Sequence, residues 1–529
     1  MLRQAGFFLW GVGWLAAAGG LHGQDRALLK QGEEALAKGD YPAAKQHYTA
    51  AGKEGGAVTA VVTSGLGRAA FAMADYADAA RQFNVASLFH GATPQEAALA
   101  LAGKVAAWVE PERQTMEENA VNQAAQDLEE ALGKDPECRP ALVWRGYLRT
   151  LRAKSHEEEN LALADLKTAR DLGEEGWMLY LARGCVAIGH GDNAERDKAF
   201  AVARQHLETE LNDRPMHLHA WLKSVELNER TGDVDRLIAD HTHILKRWPD
   251  RVASLASRGY ARVLARDFPA AIADCTAAIE KGDQRALVYW WRGYARTWTK
   301  DREGAMEDLH QARVLDPELK GPLSRRAWLQ NSRGEHAMAV DDATRALERW
   351  PGDEEALGER GYAHKELGRT EEAVRDFDQV LKANPKSAAI LRYRAEARNL
   401  QGRYELARAD ASAAIELTPQ DGYAWRARSV AWIGLKDYNQ AIADATKTIE
   451  LLPEHAPAYI NRGAAYEAKK NWHEALADFN QAIVLDPEAP AWYLERAGLY
   501  EKMGRKDAAR QDRETANVIE AAKNLETLK

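Results

Sequence analysis

The sequence predicts an all-α protein, an α-solenoid of stacked helix hairpins with a 34-residue period. Three observations carry this prediction. Prolines at 249, 317, 351, 385, 419, 453 and 487 are spaced by 34 or, once, by twice 34, and Pro215 begins the same series; a cadence of that length marks a stacked repeat. Within one period, such as EHAPAYINRGAAYEAKKNWHEALADFNQAIVLDP from Glu454 to Pro487, apolar residues recur at three and four, which implies two amphipathic helices split near Asn471. Each unit then stops at its proline, which cannot continue a helix and pushes its predecessor out of helical backbone.

In chain order, MLRQAGFFLWGVGWLAAAGGLHGQD opens with a cation at Arg3, continues as an apolar run from Phe7 to Ala18 and closes on small residues. That is the layout of a secretory signal over residues 1–23. Cleavage after Gly20 or Gly23 would leave a periplasmic or secreted chain with no stable membrane insertion. The alternative is an uncleaved anchor, because Ala5 to Leu21 is just long enough to span a bilayer.

Residues 24–215 form five irregular units. Gly32 with Ala44 and Tyr48, then Gly67 with Ala79 and Phe83, mark the first two; Gly103, Gly146 and Gly184, with Ala124, Ala162 and Ala203, centre the next three. Their hairpin turns are longer than standard by nine, four and seven residues, around EPERQTMEE, SHEEEN and GHGDNAERD. Insertions on one edge of a solenoid build a binding surface or are simply tolerated.

Residues 216–521 hold the regular units six to fourteen, and 522–529 form a tail. Gly259 with Ala271, Gly293 with Ala305, Gly361 with Ala373 and Gly463 with Ala475 come twelve apart. A helical glycine costs about 1 kcal/mol relative to alanine, so its recurrence implies close approach of the two helices. Phe479, Phe377 and Leu309 fill the space beside them.

A bulky residue, Gly, Ala, an aromatic, Ala and Pro at these fixed offsets resemble the tetratricopeptide repeat family, with about fourteen units over nearly the whole mature chain. The resemblance implies a right-handed superhelix whose concave surface is lined by one stripe of the first helices.

Charge adds a second periodicity. Arginine recurs one residue before the glycine position, and aspartate one residue before the bulky position of the second helix. Pairing within a unit would leave Asp127 facing Ala102, Arg183 facing His206 and Asp240 facing Ser224. Pairing with the arginine eighteen residues later strands only Asp512. The expectation is therefore a structural ladder across repeat interfaces: Asp127 with Arg145, Asp165 with Arg183, Asp240 with Arg258, Asp274 with Arg292, Asp308 with Arg326, Asp342 with Arg360, Asp376 with Arg394, Asp410 with Arg428, Asp444 with Arg462 and Asp478 with Arg496.

The stretch WWRGYARTW, residues 290–298, concentrates aromatic residues in a chain that is 8% aromatic. Trp290, Tyr294 and Trp298 form a stripe at helical spacing, which the family resemblance places on the concave surface. Equivalent positions carry Tyr260, Trp328, Asn331, Tyr362 and Lys365. Large rings beside hydrogen-bonding groups suit a peptide groove, whereas Trp221, Tyr289, Trp425, Tyr459 and Tyr493 cover seams between units.

The formal charge of -9, with 71 basic and 80 acidic residues closely mixed, disfavours nucleic-acid binding. Cys138, Cys185 and Cys275 are too scattered for a disulfide scaffold or a zinc site. The pairs His217/His219 and His241/His243 are spaced by two, which points them to different helix faces, so no metal is expected. No catalytic fingerprint and no cofactor motif occurs. The reading is a non-enzymatic scaffold binding an extended peptide or helix of a protein partner; the alternative is a carbohydrate-binding protein that uses the same aromatic residues.

Overall fold

The computed structural model describes residues 23–54, 60–89, 92–112 and 118–527. The predicted leader, but for Gly23, lies outside them. Among the described residues there are twenty-eight helices and no strand, in fourteen successive hairpins from Gly23–Ala37 with Tyr41–Glu54 to Pro490–Lys502 with Lys506–Thr527. The last helix thus runs through most of the segment expected to be a tail.

The chain divides into two compact units, residues up to Asp283 and residues from Gln284 onward. The cut falls where the cadence lacks its proline, since Asp283 stands midway between Pro249 and Pro317. The change at residue 216 is one of regularity alone.

Local chemistry accounts for each hairpin. Asp267, Asp301 and Asp437 cap second helices by accepting from the backbone N–H three residues on, satisfying a donor that the helix leaves open. Seam aromatics serve the other end. Trp221 and Trp425 donate from Nε1 to the carbonyls of Pro215 and Pro419 at 3.0 and 2.9 Å, and the Tyr459 and Tyr493 hydroxyls donate to Pro453 and Pro487 at 3.0 and 3.2 Å. At the crossing point glycine is needed for space: a Cβ on Gly361 would lie 2.7 Å from the Phe377 ring, and one on Gly463 2.5 Å from Phe479.

The residues expected to lengthen turns mostly lengthen helices. Ser155 caps the helix His156–Asp171 by accepting from the Glu158 N–H, so the SHEEEN insertion is its cap and first turn. In the next hairpin only three residues separate Trp177–Gly189 from Asn193–Asp213. Around EPERQTMEE the first helix continues to Glu112, and residues 113–117 lie outside the described ones.

The charge ladder forms within hairpins, not across interfaces. Arg258, Arg292, Arg360, Arg394, Arg428, Arg462 and Arg496 donate from Nε and Nη2 to both oxygens of the aspartate sixteen residues later, Asp274, Asp308, Asp376, Asp410, Asp444, Asp478 and Asp512, at 2.7 to 3.0 Å. Arg326 reaches Asp342 at 3.3 Å, with Gln330 donating to the same carboxylate at 2.9 Å. Arg145 takes Asp165, not Asp127, at 2.9 and 2.7 Å.

The physical reason lies at the crossing. A Cβ on Gly293 would sit 3.0 Å from the Asp308 Cβ, so the aspartate stands opposite the glycine of its own hairpin, within reach of the arginine beside it. The groups that seemed stranded by such pairing have other partners. Lys104 meets Asp127 at 2.8 Å, Glu195 pairs with Arg183, and Asn228 donates to Asp240 at 2.7 Å.

Neighbouring hairpins are tied by the third arm of the same guanidinium. Nη1 of Arg258, Arg360, Arg394, Arg428, Arg462 and Arg496 reaches back to Thr242, Thr344, Asp378, Ser412, Thr446 and Asn480 on the preceding second helix, at 2.6 to 3.4 Å. A fork with several fixed donors can hold two partners at once.

The first compact unit closes on itself. The Arg214 Nε donates to the Ala37 carbonyl at 3.2 Å, Tyr76 Oη lies 3.0 Å from His219 Nδ1, and the Tyr147 hydroxyl donates to Glu226 at 3.1 Å. Between them the Lys223 ammonium, 2% exposed, donates to Glu226 at 2.8 Å. Burial, reinforced by Lys223 and His217, holds the His219 pKa well below its ordinary value, so its ring is neutral. His217 bonds Glu210 at 2.7 Å, and the two histidines serve packing.

Candidate functional site

The second unit begins at Gln284. The helices Ala286–Thr297, Pro322–Ser332, Glu354–Glu366, Ala388–Leu400 and Gly422–Gly434 touch one another in succession, so side chains one period apart meet along a continuous face. Trp290 and Tyr294 have ring centroids 5.7 Å apart, Tyr294 and Trp298 6.5 Å, and Trp298 and Trp328 6.0 Å. Four predicted residues therefore form one chain of rings, within the spacing at which aromatic pairs attract.

Trp298 is 51% exposed. Trp290 is fixed from behind by Gly321: its backbone φ is +113°, and a Cβ there would lie 2.7 Å from the Trp290 ring. Only glycine meets both conditions easily.

Other predicted residues are placed differently. Tyr260, 37% exposed, belongs to the first unit. Asn331, 8% exposed, donates to the Glu359 carbonyl and carboxylate at 2.9 and 2.8 Å, and its amide oxygen lies 3.1 Å from His336 Nδ1. Lys365 donates to Glu396 at 2.7 Å and lies 4.8 Å from the Tyr362 ring centre. The polar capacity of both is spent inside the chain, where it orients neighbouring helices.

Two residues of the face escaped the sequence reading. Arg325 lies 4.6 Å from the Tyr294 ring centre and 5.5 Å from that of Trp328, and pairs with Glu355 at 2.8 Å. Further along the stack, Tyr393 lies 5.1 Å from Tyr362 and carries Arg392 at 4.2 Å from its centre. Arg325, Glu359 and Tyr393 are 34 apart, so the period itself was the signal.

Glu359 gives this face a pH dependence. Burial pushes its carboxyl up to about 7, opposed by the Asn331 hydrogen bond and reinforced by Glu355. Between its ordinary 4.5 and 7 the folded chain keeps a proton that the unfolded chain releases, so stability falls as pH rises through that window. Glu359→Gln is expected to flatten this part of the profile, read as thermal midpoints between about pH 5 and 8; an unchanged slope would refute the assignment.

A second concavity, of about 630 Å³, lies in the first unit among Val121, Ala125, Leu148, Arg149, Arg152 and Leu161. Arg149 there is bound to Asp165 at 2.6 Å.

Residues 359–422 and 456–488 match models of the tetratricopeptide repeat. Both stretches carry tetratricopeptide repeats. Tetratricopeptide repeat proteins generally mediate protein–protein interaction or scaffolding and are generally not enzymes. Among curated proteins none matches this chain. Of solved structures, the crystal structure of the APC/C hetero-tetramer Cut9-Hcn1 is similar over 94% of this chain and 100% of that one, at 14% identity and a TM-score of 0.48. A tetratricopeptide repeat protein from Parabacteroides merdae is similar over 50% of this chain and 98% of its own, at 22% identity and a TM-score of 0.37. A thermophilic one in Thermus thermophilus is similar over 31% of this chain and 89% of its own, at 25% identity and a TM-score of 0.30. No helix among the described residues is long and apolar enough to cross a membrane.

Proposed function

We propose that this chain is a non-enzymatic scaffold that holds an extended peptide or a helix of a partner protein against the first helices of its second unit. The observation that carries this reading is the continuous run of Trp290, Tyr294, Trp298 and Trp328 at 5.7 to 6.5 Å, with Arg325 against two of the rings. Rings already packed on one another and on a cation lose little freedom on binding. The corresponding face of the first unit is filled by its own Tyr147, His219, Lys223 and Glu226. Because the basic groups beside the rings already have carboxylate partners, the preferred ligand segment presents apolar or aromatic side chains rather than a run of one charge.

The layout of residues 1–23 supports a scaffold that acts outside the cytoplasm. The test is a pull-down from envelope extract with the wild type and with a Trp290→Ala, Trp298→Ala, Trp328→Ala variant, the N-terminal sequence of the recovered chain reporting removal of the leader. On arrays, Trp298→Ala is expected to weaken peptide binding by about 2 kcal/mol, roughly thirtyfold. Loss on a glycan array with none on peptides would replace the proposal with carbohydrate binding.

A further inference from the structure

We propose that two lengthened hairpins of the first unit share a site for a divalent transition-metal ion, zinc fitting best, held by His156, Glu159 and His190. His156 begins the helix His156–Asp171, Glu159 follows one turn later, and His190 closes the helix Trp177–Gly189 of the next hairpin. His156 Nδ1 lies 2.8 Å and His190 Nε2 3.3 Å from Glu159 Oε2, and one donor atom from each residue lies within 4.8 Å of the others. The two imidazole rings are 5.2 Å apart and inclined by 36°.

Two further observations point to a ligand. His190 Nε2 is shut from solvent and makes no hydrogen bond, although it faces the carboxylate that His156 also faces. A single cation between them satisfies all three groups at once. Space has also been made for the carboxylate, since a Cβ on Gly189 would lie 2.0 Å from Glu159 Oε1. A side chain at 189 would force the Glu159 carboxylate to shift.

Two neutral imidazoles and one carboxylate are a donor set that zinc accepts at about 2.0–2.2 Å, leaving a fourth position for water. His156 is on the exposed side, so that position opens to solvent. Copper and nickel compete at such nitrogen and oxygen sites, whereas calcium and magnesium call for more oxygen ligands. The ion would fasten the fourth hairpin to the fifth at the edge where both are enlarged. Sequence spacing concealed the set because its members lie on two hairpins.

The test is calorimetric titration of the full chain with zinc chloride in chelator-free buffer, followed by the visible absorption of the cobalt(II) form. One saturable zinc per chain and a tetrahedral cobalt spectrum are expected. Glu159→Gln and His190→Gln should each weaken zinc binding by at least about 10-fold to 100-fold, since even outer-shell changes at metal sites cost that much, while His473→Gln leaves it unchanged. His156→Gln, on the exposed side, gives the same reading without disturbing packing, and circular dichroism verifies that each variant is folded. Absence of saturable binding, or equal affinity in the wild type and the folded His156→Gln chain, overturns the proposal.

Discussion

Asp376→Ala is expected to destabilise the second unit by roughly 3 kcal/mol, against less than about 0.5 kcal/mol for the exposed Glu371→Ala. Asp376 is 3% exposed and receives both arms of Arg360 at 2.8 and 2.7 Å. Its removal leaves a guanidinium in the hairpin crossing without its counter-charge, and desolvation of that cation dominates the cost. A double-mutant cycle measured by chemical denaturation locates the interaction. Asp376 should couple to Arg360 in its own hairpin and far less to Arg394 in the next, whose carboxylate partners are Asp410 and Asp378. Stronger coupling to Arg394 would restore pairing across interfaces.

In the first unit, Glu226→Ala should cost roughly 3–5 kcal/mol. This carboxylate accepts from Lys223 at 2.8 Å, from Arg230 at 3.0 Å and from the Tyr147 hydroxyl at 3.1 Å. Lys223 and Tyr147 are deeply buried. Replacing Lys223 and Glu226 together by Met and Leu should recover the part of the loss that comes from stranding the Lys223 ammonium, while Arg230 and the Tyr147 hydroxyl still lack their acceptor. Hydrogen exchange would show the Glu226→Ala effect in the helices around Tyr147 and Lys223. A loss below about 1 kcal/mol would mean that water reaches the cluster.

The period was legible because every regular hairpin meets the same neighbours, so Gly361 against Phe377 and Gly463 against Phe479 repeat one crossing. The residue types of the charge ladder were equally legible, but their pairing was not. A 34-residue spacing shows which positions share an environment without showing at what height the two helices cross. Ala102, His206 and Ser224 seemed to leave Asp127, Arg183 and Asp240 unanswered within their own units. Lys104, Glu195 and Asn228 fill the gaps within hairpins, which only geometry reveals. Of the recognition face, Trp290, Tyr294, Trp298 and Trp328 could be read because they follow one helical stripe, whereas Arg325 and Tyr393 lie in the adjoining column. Asn331 and Lys365 were found at the right positions but are engaged internally by Glu359 and Glu396.

Because every aspartate from Asp274 to Asp512 in the regular ladder answers the arginine of its own hairpin, a 34-residue module carries its charge balance with it. Duplication or deletion of a whole module leaves every Arg–Asp pair of the ladder intact. Only the backward bond from Nη1 must be remade, and threonine, serine, asparagine and aspartate already serve as its acceptor at 242, 344, 378, 412, 446 and 480. The array can therefore change length over evolutionary time while the side chains that meet a partner keep their spacing.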